Sequence, residues 1–342
     1  LAFPEAGIIF YADQELPLGL GGCPLRRILS VFLLRFVLVL SVVSCLNFVL
    51  FRLMPGDPVS TVLDPRMSPE AKEELRRLMG LDEPLTVQLG LYLVNSLRLE
   101  FGSSFYSQRP VVEEISRRLP LTVGVMGSVL VLSLSLGLLL GLLAHRFGGP
   151  FDLLVSLFSV LSSSLPSFFL QLGLLYLFSY RLALLPTSGI TSVPPPEGLE
   201  LVLDVLRHLL LPVGSLVLVG FGGWALYVRE MASSIREEHF VKMAESRGLP
   251  PSYVGRAYVL RNLLPPLATM VLMSIPGVVG GAVITETVFS LDGLGKLLVD
   301  SVLRHDYPVA QGAFFLLASL TVLFNLLSDL LQARLDPRVR GR

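Results

Sequence analysis

Four histidines, His145, His208, His239 and His305, lie far apart along 342 residues, none with a second ligand at a metal-binding spacing. A metal site needs donors that converge, as two histidines one helical turn apart do in HExxH and two thiolates do in CxxC. The chain has neither pattern, and its two cysteines, Cys23 and Cys45, make neither a disulfide framework nor a metal pair. No serine sits in a G-x-S-x-G elbow, so acyl transfer has no nucleophile. The nearest approach to a phosphate-binding loop is "SLDGLGKLL", residues 290–298. Ser290 stands where the first glycine of the Walker pattern belongs, and Leu297 follows Lys296 in place of a hydroxyl residue. The sequence therefore points to no enzyme and to no ATP site in this chain.

One polar segment remains, "HFVKMAESRGLPPSYVGRAYVLRNLLPP", residues 239–266, set between long apolar runs. Its signals predict a helix from Ser233 or Ser234 that Gly248 terminates as the residue after the cap. Pro250 or Pro251 then opens a second helix, which ends before Pro265 and Pro266. Tyr253, Val254, Ala257 and Tyr258 fall on one side of it, with arginines around them. Such an element suits two roles. It is an amphipathic linker whose arginines face anionic lipid, or a small rigid knob offered to a cytoplasmic partner.

The elements on either side set its context. Hydrophobic residues make up 52% of the chain and charged residues only 16%, against about a quarter charged in soluble domains. Six nearly charge-free blocks, at about 28–51, 121–144, 153–180, 208–228, 263–285 and 307–328, are each long enough to cross roughly 30 Å of hydrocarbon as a helix. Arg146, Arg229, Arg236, Lys242, Arg247, Arg256 and Arg261 fall on one side of these blocks, and only Arg181, Arg207, Lys296 and Arg304 in the short loops of the other. The positive-inside rule then places both termini and the 239–266 segment in the cytoplasm. Formal net charge is zero, which gives nucleic acid no electrostatic footprint.

Several local features bear on how the spans work. Residues 1–25 lack a basic n-region and do not read as a signal peptide, so this leader is expected to be an over-extended start. In the long loop after the first span, "SPEAKEELRRLMG" predicts a helix capped by Ser68 and stopped by Gly80. A second helix starts at Pro84, with Leu85, Leu89, Tyr92, Leu93 and Leu97 on the face that packs or lies on the membrane. Spans two and three form a hairpin through "HRFGGP", and Gly137 with Gly141 permits close helix approach. Pro166 kinks span three, with nearby serines to satisfy freed backbone groups. Span five carries Pro276, Gly277, Gly280 and Gly281, with Glu286 near its outer end as an interfacial carboxylate, a gate or a subunit contact. Few ionisable residues enter the spans, and no inverted repeat is visible, which argues against a self-contained secondary transporter or channel.

Ala244-x-x-x-Gly248, followed by an arginine-rich helix and "RNLLPP", resembles the EAA loop of ABC importer permeases. "RLMPGDPV", "GLDEPLTVQ", "FGSSF", "GGAVITETVFSLDGLGKLLVDSVLRHDYPVAQG" and "DLLQARLDPRVR" are similar to the dipeptide/oligopeptide permease family, in particular to its member with a long loop after the first span. The likeness runs from about Arg26 to Arg342. It departs from the family pattern at Lys242 and Met243 within the EAA signature, at Pro250 after the turn, and at Asp292, where a proline is usual. The resemblance implies an all-α polytopic membrane protein with six transmembrane helices, the type I ABC importer transmembrane domain. It divides the chain into a first span over 26–52, an extracytoplasmic helical loop over 53–117, a transmembrane domain over 118–334 with its EAA loop at about 229–264, and a tail over 335–342.

The implied partners are a second homologous permease, two ATPase subunits that use the ATP, an extracytoplasmic substrate-binding protein and the bilayer of the inner membrane. Ala244, Glu245, Arg247, Gly248, Leu249, Tyr253, Arg256 and Arg261 would form the ATPase-coupling loop. Ser163, Ser167, Gln171 and Glu286 would line the translocation pathway, which carries peptides or similar small solutes. On this reading Gly248→Pro or Ala244→Asp abolishes ATP-driven uptake into reconstituted vesicles while the binding protein still docks, measured by pull-down on the same vesicles.

Overall fold

The computed structural model describes residues 25–53 and 83–335. The expectations placed on the leader before residue 25, on the helix over 68–80 and on the tail beyond residue 335 lie outside these described residues. Among the described residues the regular structure is helical, with one isolated bridge between Ser103 and Pro110. Hydrocarbon offers backbone groups no partner, so an apolar chain crossing it must close its hydrogen bonds within each segment. The principal helices are α1 (Leu25–Leu53), α2 (Leu85–Arg98), α3 (Val111–Phe147), α4 (Gly149–Ser164), α5 (Ser167–Leu174), α6 (Leu199–Glu237), α7 (His239–Ser246), α8 (Pro251–Val254), α9 (Arg261–Val288), α10 (Leu294–Leu303) and α11 (Tyr307–Leu335). Five are long and apolar enough to cross a membrane, and six if the bent pair around Pro166 is one span.

That bent pair corrects the simple kink expected in span three. Leu165 is extended (φ −82°, ψ 131°), as a residue before proline prefers, and the axis turns by 99° between α4 and the arm formed by α5 and the π-type turn Leu175–Arg181. The serines at the break do satisfy backbone groups. Ser163 and Ser164 donate to the carbonyls of Ser159 and Val160 at 2.8 and 2.7 Å. Ser162 reaches across to α6, donating to the carbonyl of Leu218 and, at 3.2 Å, to that of Val219.

Spans two and three are neighbours in sequence, yet the glycine notches of α3 receive α6. A Cβ on Gly137 would lie 2.3 Å from the Cβ of Trp224, and one on Gly141 would lie 2.6 Å from the Ala225 carbonyl and 2.8 Å from the Val228 Cβ. Gly222 on α6 is pressed in turn against α4, 2.3 Å from the Ser159 carbonyl by the same measure. Small residues let backbones approach because lipid supplies no hydrophobic drive between helices, and contact is what holds them. Helix α2, within the loop after the first span, packs on α1, with Asn47 Nδ2 donating to Tyr92 Oη at 2.7 Å and the Tyr92 ring 5.7 Å from Phe48. Its packed face runs through Leu89, Tyr92 and Leu93, whereas Leu85 and Leu97, expected on that face, are exposed.

Filling the closest notch gives a direct check. Gly141→Leu forces α3 and α6 apart, at a cost of about 1–3 kcal/mol. Gly127→Ala, inside the same helix where a Cβ meets nothing within 4 Å, leaves stability unchanged or slightly raised. Thermal unfolding of the detergent-purified chain should show the loss in the first variant only.

Candidate coupling and gating sites at the two ends of the bundle

The basic segment sits at the end of the bundle where α3 gives way to α4 and α6 gives way to α9. Here α6 runs on through Ser233 and Ser234 to Glu237, so the helix expected to begin at those serines is the end of the fourth span. The chain breaks at Glu238 (φ −64°, ψ 145°), and α7 follows as a separate, shorter helix. Val241 and Ala244, three residues apart, face inward and are 0% and 4% exposed. They join Val228, Ala232, Ile235, Val254, Val259, Leu263 and Leu267 in one apolar cluster. Phe240 and Met243 occupy the other face and are 41% and 56% exposed.

Gly248 makes the turn as expected. Its φ is +75°, a region that a side chain disfavours, and its N–H donates to the Glu245 carbonyl at 2.9 Å. Pro250 and Pro251 then open α8. Two details differ from the sequence reading. The backbone widens to π-type turns over Gly255–Leu260, so the buried face passes from Val254 to Val259, five residues on, before resuming at Leu263 and Leu267. A 3.6-residue period could not place that shift, and Tyr253 is exposed rather than packed. The second helix also continues through Pro265 and Pro266 into α9 without a stop, because ending it there would leave carbonyls unsatisfied in an apolar setting.

The expected coupling residues therefore divide by depth. Ala244 is buried, Leu249 is half-buried against the cluster, and Glu245, Arg247, Tyr253, Arg256 and Arg261 are exposed. An ion pair also ties α7 to α6, with Glu245 and Arg236 3.5 Å apart, and beside it His145 Nδ1 of α3 meets Ser233 Oγ of α6 at 3.1 Å. The Arg229 guanidinium grips Asp152 at the start of α4 with two bonds, from Nε to Oδ1 and from Nη2 to Oδ2, the latter 2.7 Å. Sequence reading missed this pair, since 77 residues separate its members and nothing local marks it.

The opposite end carries the glycine loop that failed the Walker pattern, and the structure shows what it holds. Glu286, in the last turn of α9, is 0% exposed. Its Oε2 accepts the N–H groups of Gly295 and Lys296 at 2.7 and 3.0 Å, which are free donors in the first turn of α10. Its Oε1 accepts Thr122 Oγ1 at 2.6 Å, and that hydroxyl accepts the Leu294 N–H at 2.8 Å. The physics is that of a phosphate at a helix N-terminus, with an internal carboxylate as the anion. Gly293 and Gly295 are required, since a Cβ on the first would lie 2.3 Å from the Glu286 carboxyl carbon and one on the second 2.5 Å from the Val283 Cα.

Gln171 lies nearby, 0% exposed, with Nε2 donating to Thr285 Oγ1 at 2.9 Å. Two of the four expected pathway residues thus meet adjacent positions at the top of α9, each buried among this chain's own atoms. Ser163 and Ser167 flank the break in span three, exposed and half-buried respectively. A second buried carboxylate, Asp306, precedes α11 and holds the 99–110 loop by accepting Ser104 Oγ at 2.6 Å and the Phe105 N–H at 3.1 Å. Between this loop and α10 lies a cleft of about 130 Å³, at whose edge Arg118 bridges Glu114 and Asp292.

Residues 136–341 match the family described as the binding-protein-dependent transport system inner membrane component, and residues 25–126 match the N-terminal component of the same system. The chain belongs to this permease family. It is 33% identical over 317 residues to a probable peptide ABC transporter permease protein of Sinorhizobium fredii, covering 92% of this chain and 98% of the relative. It is 33% identical over 315 residues to the di/tripeptide transport system permease protein of Pseudomonas aeruginosa, covering 87% and 94%. With the oligopeptide transport system permease protein AppB of Bacillus subtilis it shares 32% identity over 299 residues, covering 87% and 94%. The chain is thus an all-α, multi-pass membrane permease with the type I ABC importer fold, a transporter component and not an enzyme.

In this permease the Asp152–Arg229 pair locks α4 to α6 beside the basic segment. Asp152→Asn weakens that lock by about 1–3 kcal/mol, the scale of a charge-assisted bond. The exchange Asp152→Arg with Arg229→Asp recovers part of the loss, as a double-mutant cycle on unfolding in mixed micelles would record.

Proposed function

We propose that this permease forms one half of the translocation pathway of an ATP-driven peptide importer. Its partners are a second permease chain, two ATPase subunits that bind and hydrolyse the ATP, and a binding protein on the outer face. Both termini and α7 lie on the cytoplasmic side. The peptide class rests on the relatives, whose names specify peptide, di/tripeptide and oligopeptide transport.

The observation that carries the coupling role is the two-sidedness of α7. One face, Val241 and Ala244, is locked into the spans, and the other presents Phe240 and Met243 to solvent with Arg247 and Tyr253 beside them. An amphipathic helix with exposed apolar anchors and a rigid back fits a groove on a partner and transmits force rather than yielding to it. When ATP draws the two ATPases together, α7 moves, and α6 and α9 tilt with it because Ile235, Val259 and Leu263 belong to the same cluster. Burial changes the reason for the expected effect of Ala244→Asp. A carboxylate there enters a dry apolar cluster and detaches α7 from its own spans. Gly248→Pro fails differently, since proline holds φ near −65° and cannot adopt +75°.

Phe240→Asp combined with Met243→Asp isolates the docking face, because neither side chain supports the fold of this chain. The complex reconstituted in vesicles with its binding protein should lose ATP-driven uptake of labelled tripeptide by at least about tenfold, the scale of losing interface anchors. The purified permease should unfold at an unchanged temperature. Full uptake by the double variant would overturn the coupling role.

A further inference from the structure

The carboxylate of Glu286 joins three parts of the permease that the chain brings together from far apart. It belongs to α9, its hydroxyl donor Thr122 belongs to α3, and its two amide donors begin α10. The segment between α9 and α10 is packed as tightly as a core. Phe289 is 2% exposed and contacts the cluster of Val125, Leu211 and Val213, while Leu291 and Leu294 are 0% exposed. Ser290 is held at φ +50°, a strained conformation for a non-glycine residue that persists only where surroundings over-determine it. Leu294 seats against Val111, Ile115, Val309 and Ala313, so α10 is also bound to α3 and α11. Beyond α10, Asp306 fastens the 99–110 loop.

We infer that Glu286 is the positioning residue of a rigid cap, formed by residues 289–303, which it fastens to α3 and α9. The cap then moves with these spans as one body during transport and does not lift off them to open the pathway. The inference rests on the importer reading. Its physical basis is the cost of the alternative. Lifting the cap would break three hydrogen bonds, two of them charge-assisted bonds to one carboxylate, and would expose Phe289, Leu291 and Leu294 to water. A rigid cap keeps all of these bonds, and the opening then falls between this chain and its neighbour.

The Arg118–Asp292 ion pair offers a test, because Nε and Oδ1 stand 2.8 Å apart across the edge of the cap and Asp292 is exposed. Arg118→Cys and Asp292→Cys are introduced with Cys23→Ser and Cys45→Ser, and joined by a short bis-thiosulfonate reagent in the reconstituted complex. Uptake by the linked protein should equal uptake by the same protein before linking. Arrest on linking that a reducing agent reverses would overturn the inference while leaving the importer reading intact. Absence of uptake before linking, and in the parent complex, would tell against the importer reading instead. Spin labels at the same two sites decide the cap without any uptake. One unchanged distance with and without ATP and vanadate supports it, and a second distance in the trapped state overturns it. Glu286→Gln supplies the readout for the residue itself. Loss of the charge at the α10 N-terminus should raise the ATP hydrolysed per peptide transported by about 3- to 10-fold. An unchanged ratio would show that the carboxylate does no positioning.

Discussion

A polar group inside hydrocarbon has no water to turn to, so it gains from any partner that the chain itself can bring to it. The backbone obeys by coiling and many side chains by local bonds, although Ser133 Oγ, Ser159 Oγ and Gln171 Oε1 are buried with no partner among the described residues. Ser44 donates to the Leu40 carbonyl at 2.7 Å, and Ser128 to that of Gly124 at 2.7 Å. The broken span shows what happens when the rule is strained. Pro166 removes a donor and extends Leu165, the axis turns, and a serine from one helix closes on carbonyls of the next. Among the described residues, irregular backbone lies at the ends of the bundle and at this break, where side chains such as Ser162 and Glu286 take over from the helix ladder.

The two ends use that rule in opposite ways. At the basic end, polar bonds and an apolar cluster fix the back of α7 to α6 and α9, and its front is left exposed. At the other end, Glu286 and Asp306 are spent entirely on their own chain, with no surface left over. A surface offered outward is suited to docking, and a group consumed inward is suited to holding shape. Glu286 is thus bound by its own chain, at a place near the end of a span where its charge also suits a role in contact with solute.

Much of this was legible in the chain before any fold was known. Six apolar blocks, the turn at Gly248 and the notches at Gly137 and Gly141 follow from helix length, backbone preference and side-chain size. What escaped falls into three kinds. Period shifts did, because the π-type turns over Gly255–Leu260 move the buried face by one residue. Helix continuity did, because proline and serine signals at Ser233 and Pro265 mark helix ends in water, and here apolar surroundings override them. Long-range pairs did too, since Asp152 with Arg229 and Thr122 with Glu286 are joined only by folding. The glycine loop lies between these cases. Its sequence approached a phosphate-binding pattern and failed it, and the structure shows the loop holding an internal carboxylate instead.

The two ends meet in one helix. From Pro251, beside the proposed docking face, to Glu286, in the proposed cap, the chain runs without leaving helical structure over about 50 Å at 1.5 Å per residue. Both of its ends are clamped, the lower by the apolar cluster and the upper by the carboxylate. A rod clamped at both ends passes on motion only as a whole, unless it bends between the clamps. This one carries Pro276, Gly277, Gly280 and Gly281 between them, the residues that weaken a helix most. At Gly277 an added Cβ would meet nothing within 4 Å, so packing is not what requires a glycine there. The grips at the two ends are fixed by packing and by hydrogen bonds, and the helix between them is the segment through which the proposed displacement of α7 would reach the cap.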